Sequence, residues 1–394
     1  MERLTASGRA LFWIGLVVAS ASSVTLSVKF YFLFSTLISL ALVSLMLARI
    51  ARVPLQVKLS MSDRATCGGR LPVHLSLFNP ARRAALDVAL RLDTPSPQLR
   101  QSKIALSWLP GGTRLELAAE LELLRRGHYA IGGVRQETHF PFGVWRDVLL
   151  HRQPRSLLVY PRFQPLADLD IPVGRLYQPG GIALSSKVGD SMEFLGTREF
   201  QPGDSIRDIH WKSWGRVGKP VVKEFQEEFF CRIALLLDTF VPPASGESFR
   251  GDFEASLSLA AAVADNLSHS EYIVDLFAAG PDLYTLQAGR NLAHLDNVLD
   301  VLACLEPCRE PPFETVTPVL AEHLGNITTV ILILLDWDQA RERLVHLILD
   351  HGPAVKIVLV RETPASLDPA GAEDLLGEVT VLAPEDVERG VDRL

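Results

Sequence analysis

The chain has 394 residues, 48% hydrophobic and 22% charged, which suits two or three domains of about 100–200 residues with real cores. A formal net charge of −7 removes any global electrostatic case for nucleic acid. Four Cys, at 67, 231, 304 and 308, are too sparse for a disulfide framework and fit a reducing compartment.

Residues 10–28, ALFWIGLVVASASSVTLSV, and 30–48, FYFLFSTLISLALVSLMLA, carry no charge, and only Lys29 separates them. Each run has 19 residues, close to the roughly 20 that cross a hydrocarbon core as a helix. Arg3 and Arg9 precede the first run, and Arg49 and Arg52 follow the second. Basic flanks predict a two-helix hairpin over residues 1–53, with both ends cytoplasmic and a tight external turn at Lys29. This makes a multi-pass protein of the inner membrane with most of its chain in the cytoplasm. A cleaved signal peptide is the rival, because ASASS imitates a cleavage site. The second apolar run directly behind weighs against it.

Residues 54–165 change character. LQVKLSM, LPVHLSLFN, LDVALRLD and RLELAAELEL alternate with period two and are broken by turn residues. RRGHYAIGGVRQETHFPFGVWRD adds two strands and a Pro-Phe-Gly turn, and RSLLVYPR closes the region. Successive half-buried strands predict a β-sandwich-like domain. Residues 166–190, with QPGG at 178–181, read as a linker.

From residue 191 to 394 strands and helices alternate. RIALLLD (232–238), YIVDLFAA, TTVILILLD (328–336), AVKIVLVR and EVTVLAP read as strands, with LYTLQA a short edge strand. Between them, DFEASLSLAAAVADNLSHS places Phe253, Leu257, Ala261, Ala264 and Leu267 on one helical face. NLAHLDNVLDVLACL and DQARERLVHLILDHG are also helical, the latter stopping at Gly352. The expectation is an α/β doubly wound parallel sheet.

Candidate chemistry centres on residues 198–225, REFQPGDSIRDIHWKSWGRVGKPVVKEF. Asp204, Asp208 and His210 are residue types that ligate cations, so a metal-dependent hydrolase is one reading. Arg198, Arg207, Lys212 and Arg216 crowd them, and carboxylates beside arginines form ion pairs instead. Asp204 follows the Pro202-Gly203 turn, where it can cap backbone N–H groups and pair with Arg207. Lys212 and Arg216 have no acid between them and read as a contact surface, with Trp211 and Trp214 sharing a face if helical. GGIALSSKVGD (180–190) is no phosphate cradle, because no strand precedes it. There is no Gly-x-Ser-x-Gly elbow. Cys304 and Cys308, spaced four apart on a helix, read as buried thiols. No catalytic group and no cofactor is expected.

EFLGTREFQPGDSIRDIHWKSWGRVGKPVVKEFQEE followed by IALLLD resembles the motif block of the domain-of-unknown-function family 58. The residues that carry the likeness are Arg198, Glu199, Phe200, Pro202, Gly203, Asp204, Arg207, Trp211, Lys212, Arg216 and Lys223, with Asp238 at the strand end. Upstream, the paired apolar runs, RRGHYAIGGV, FPFGVW and LLVYPR resemble the same family's layout. The resemblance implies a von Willebrand factor A-like C-terminal part. Such domains often hold a divalent cation through Asp-x-Ser-x-Ser after the first strand. Here the stretch reads Asp238-Thr239-Phe240-Val241-Pro242, so both serines are gone. Asp238 and Asp336 are expected as remnants of a degenerate site without metal. The family's frequent encoding beside MoxR-type AAA ATPases and other A-domain proteins implies those as partners, with the membrane. The expected role is a protein-interaction scaffold in complex assembly or envelope maintenance.

Overall fold

The computed structural model describes residues 4–25, 28–94, 96–172, 192–202, 204–227, 232–242, 247–269, 272–279, 283–286, 294–369 and 379–394. Most of the predicted linker, from 173 to 190, lies outside the described residues. The chain divides into two compact units, Met1–Arg162 with Leu299–Leu305, and Phe163–Val298 with Glu306–Leu394.

In the first unit the apolar runs form α1 (Ala6–Thr25) and α2 (Val28–Ala51), both long and apolar enough to cross a membrane. Lys29 lies in the first turn of α2 rather than between the helices, a position its straight side chain tolerates. Phe12, Trp13, Phe32, Leu42 and Met46 stay exposed, an apolar surface that suits lipid better than water. Ser22 and Thr36 donate one turn back, to the Val18 and Phe32 carbonyls, both at 2.7 Å. Neither hydroxyl therefore brings an unmet donor into the apolar stretch. Thr5 caps α1 by accepting from the Gly8 N–H at 2.9 Å, and its own N–H donates to the Val144 carbonyl at 3.1 Å.

Nine strands follow: β1 (Gln56–Ser60), β2 (Arg64–Thr66), β3 (Arg70–Phe78), β4 (Ala85–Leu92), β5 (Leu99–Gln101), β6 (Ile104–Leu109), β7 (Arg114–Leu123), β8 (Gly127–Thr138) and β9 (Asp147–Tyr160). They form a four-stranded sheet, β1-β3-β7-β5, and a five-stranded one, β2-β9-β8-β4-β6. Period-two patterning explains the core. Leu71, Val73, Leu75 and Leu77 alternate along β3 and are buried, facing Leu90, Ile131, Val134, Leu157 and Val159 of the other sheet in one cluster. The β8–β9 register slips at Gly133, whose φ is +140° and where an added Cβ would lie 2.1 Å from the His151 carbonyl oxygen. Only glycine fits there.

The second unit opens with an antiparallel pair, β10 (Met192–Glu199) and β11 (Val221–Glu227), separated by the 3-10 turn Ile206–Asp208 and α3 (Trp211–Val217). Beyond them come β12 (Arg232–Asp238), α4 (Glu247–Ser268), β13 (Ile273–Ala279), β14 (Leu283–Leu286), α5 (His294–Cys304, counted with the first unit from Leu299 on), α6 (Phe313–Leu324), β15 (Thr329–Leu334), α7 (Gln339–Asp350), β16 (Ala354–Val360), β17 (Val379–Leu382) and α8 (Pro384–Arg389). The six strands run in the order β14-β13-β12-β15-β16-β17, all parallel except the edge strand β14. Ala234 and Leu236 cluster with Leu320 and Leu324 of α6 and Leu344 and Ile348 of α7. The alternate residues Ile233, Leu235 and Leu237 are equally buried, and α4 packs along β12, β13, β15 and β16. Helices therefore cover both faces, which is why the strands are apolar throughout.

One local expectation fails: Cys304 ends α5 and is exposed, while Cys308 lies beyond it, buried, in a bridge to Phe240, so the two do not share a helix. Helix α6, for which no element is expected from the sequence, forms around Pro318, a strong breaker by propensity, because Phe313, Val316, Leu320 and Leu324 bury one face.

Candidate functional site

The motif block is a braced hairpin loop. Pairing of Glu199 with Val221 and Thr197 with Lys223 brings the two ends of the segment together. Phe200 N–H donates to the Pro220 carbonyl at 3.0 Å, and His210 N–H to the Val221 carbonyl at 2.8 Å. Asp204 turns back on the chain and accepts from the Gln201 N–H at 2.8 Å. Both of its oxygens take Arg198, at 2.7 and 2.8 Å. The Arg198 bond and the Gln201 amide hold the Asp204 carboxyl below its usual range. The expected pairing with Arg207 is thus replaced by one with Arg198. The strand pairing fixes Arg198 beside the turn, whereas the Arg207 N–H is engaged in a 3-10 cap by Ser205.

The opposite character appears on the loop's crown. Trp211 stacks on Trp214 with ring centres 5.3 Å apart and planes 17° off parallel, yet Trp211 stays 65% exposed. Ile206 and Val217 are also exposed. The side chains of Arg207, Lys212, Arg216 and Lys223 are exposed, and among the described residues none of these four enters an ion pair with an acid. Gly218, at φ +72°, ends α3 by donating to the Trp214 carbonyl. Asp204, Asp208 and His210 are not gathered into a ligand set: no group of three His, Cys, Asp or Glu among the described residues could hold a metal. Asp204 is committed to Arg198, and His210 Nδ1 lies 2.6 Å from Ser213 Oγ.

A second cluster lies at the C-terminal edge of the parallel sheet, where the strand order reverses between β12 and β15. In open α/β sheets that crevice is the usual ligand site. Asp238 and Asp336, at the ends of those strands, are both there and both engaged. Asp238 is fully buried. Its Oδ1 accepts from the Phe240 N–H at 2.9 Å, and its Oδ2 from the Leu335 N–H at 3.2 Å and from Arg341 Nε and Nη2, both at 2.7 Å. Arg341 also meets Asp338 at 2.5 Å and lies over the Phe313 and Phe240 rings, at 4.9 and 5.7 Å. Burial alone would lower its pKa, but the Asp238 and Asp338 charges outweigh that and raise it. Asp336 takes Arg361, the Ser366 hydroxyl and the Ser366 and Trp337 N–H groups. Burial pushes its carboxyl up, and these bonds together hold it below the ordinary range. Buried Thr239 Oγ1 and Asp252 Oδ2 have no hydrogen-bond partner among the described residues.

Arg341 and Arg361 are the residues that sequence reasoning missed. A signal for Arg341 existed: it shares the i, i+3, i+4, i+7 stripe of buried Leu344, Val345 and Ile348 on α7. A charge in phase with a helix's apolar face has to find a buried counter-charge.

Residues 196–328 match the family model described as "Protein of unknown function DUF58", so the likeness drawn from the motif block holds. Over 262 residues the chain is 24% identical to "Uncharacterized protein YeaD" of Bacillus subtilis (strain 168), covering 65% of this chain and 62% of that protein. The match thus spans less than two thirds of that relative. Among solved structures, native alpha-2-macroglobulin of Escherichia coli, from domain MG7 to the C-terminus, is 16% identical with a TM-score of 0.22, covering 32% of this chain and 18% of that one. Proximal thread matrix protein 1 of the mussel byssus is 10% identical with a TM-score of 0.31, covering 41% and 43%. Similarity this slight carries no argument.

Proposed function

Taking residues 196–328 as a DUF58 segment, we propose that the chain is a membrane-anchored protein-interaction scaffold whose motif block is the docking face. The observation that carries the reading is the crown of the block. An exposed Trp211, stacked on Trp214, stands in sequence among Arg207, Lys212 and Arg216 on a loop braced by the Arg198–Asp204 pair. Trp and Arg on a pre-ordered element are the residue types that dominate binding energy at protein interfaces. Unneutralised cations favour an acidic partner.

Two further parts of the reading rest on α1, α2 and the sheet. The helices serve as a hairpin through the inner membrane, with the bulk of the chain cytoplasmic, as the basic flanks favour. The strand order, with an antiparallel edge strand beside five parallel ones and acids at the switch point, supports a von Willebrand A-like unit. By family resemblance the partner is a MoxR-type AAA ATPase or another A-domain protein. Pull-down of the full chain from native membranes, read by mass spectrometry, should recover such a protein. Recovery of lipids and chaperones alone would count against the reading.

A further inference from the structure

The switch-point crevice is where a divalent cation would be sought in an A-like unit, and the residues present do not fit one. Asp238 is fully buried, with one oxygen accepting from the Phe240 N–H and the other from the Leu335 N–H and two Arg341 nitrogens. Asp336 is engaged by Arg361 and by the Trp337 and Ser366 N–H groups at one oxygen and by the Ser366 hydroxyl at the other, and no group of three His, Cys, Asp or Glu among the described residues could hold a metal. Positions 240 and 242 supply Phe and Pro, which offer no side-chain oxygen.

We infer that Arg341 is the resident cation of this crevice, a tethered guanidinium that takes the place of a metal ion and makes the sheet's ligand edge independent of divalent cations. Three independent features converge on it. The Arg341 side chain is 2% exposed and that of Asp238 is 0%, so neither has water to screen it. The guanidinium bridges Asp238 on β12 to Asp338 at the start of α7, as one cation shared by two carboxylates. Its face is covered by Phe313 and Phe240, and Phe240 stands at one of the two positions that lost an oxygen ligand. An aromatic ring there favours a flat, delocalised cation over a hydrated point charge. The substitution and the arginine therefore explain each other.

The consequence is that this edge binds no partner through a shared metal, and recognition falls to surfaces such as the motif block. The test uses the full chain in detergent. Calorimetric titration with Mg²⁺ or Mn²⁺ should show no saturable heat, and the melting temperature should be the same in EDTA and in excess Mg²⁺. Arg341→Met keeps the volume and removes the charge, leaving Asp238 buried and unpaired. It should melt lower by something on the order of 10 °C. Adding Asp238→Asn to it should recover part of that loss, because the stranded charge is gone. A saturable Mg²⁺ isotherm in the wild-type chain, abolished by Asp238→Ala, would overturn the inference without any appeal to Arg341 variants. So would an Arg341→Met chain that melts like wild type.

Discussion

Arg198 closes both arms of its guanidinium on Asp204, at 2.7 and 2.8 Å, and so fastens the end of β10 to the loop that carries Trp211. The same carboxylate accepts from the Gln201 N–H, so one side chain holds strand, turn and loop together.

Asp204→Ala should therefore loosen the crown, while Arg207→Ala should not. The measurement is Trp fluorescence during thermal unfolding, with the expected loss of the stacked Trp211–Trp214 signal at lower temperature in the first variant only. The carboxyl's folded pKa is lowered, so its contribution is present above the ordinary carboxylate pKa and is lost as pH falls through the lowered value. Asp204→Asn should accordingly be less pH-sensitive than wild type at the acid end.

Asp252 works in the opposite sense. It is buried in α4, its Oδ1 accepts from the Glu362 N–H at 3.1 Å, and its Oδ2 has no hydrogen-bond partner among the described residues. Burial raises its pKa, outweighing the Glu362 N–H and the Arg361 charge that pull it down. A raised folded pKa gives stability that is full below the unfolded value and lost as pH rises through the folded one. Asp252→Asn keeps the Oδ1 acceptor and removes the charge. It should raise the melting temperature at neutral pH, with the gain fading toward acid pH. A loss of stability at neutral pH would contradict this account.

Gly133→Ala tests the sandwich. With φ at +140° and the His151 oxygen 2.1 Å from the new Cβ, the bulge cannot accept the methyl without moving β9. Denaturant titration should show a loss of about 2 kcal/mol or more.

The hairpin gives a topological expectation. A reporter fused after Leu394 should work as a cytoplasmic reporter and fail as an exported one. Activity of the exported reporter would reverse the orientation.

The legible parts of the fold were those with a strong period. Leu71, Val73, Leu75 and Leu77 announce a one-sided strand, and RIALLLD and TVILIL announce strands covered on both faces. Helix α6 was not legible, since Pro318 masks a segment whose stability comes from burying Phe313 and Leu320 rather than from propensity. In the motif block the turn and the carboxylate's capping role could be read. The partner of Asp204 could not, because it depends on the β10–β11 register and not on spacing along the chain. Arg341 and Asp238 lie 103 positions apart, a pairing that only the closed sheet brings about.

The central claim, that the crown of the motif block is the docking face, is tested most directly by a paired measurement on the full chain. Lys212→Ala with Arg216→Ala should leave the melting temperature unchanged, since these groups are exposed, and Trp211→Ala should lower it only slightly, by the loss of its stack on Trp214. Both should lose the partners that the wild-type chain retains in pull-down at low salt. What binding remains should weaken with added salt in the Trp211→Ala variant but much less in the charge variant, which has already lost the screened attraction. Variants that fold normally and keep every partner at all salt concentrations would contradict the claim.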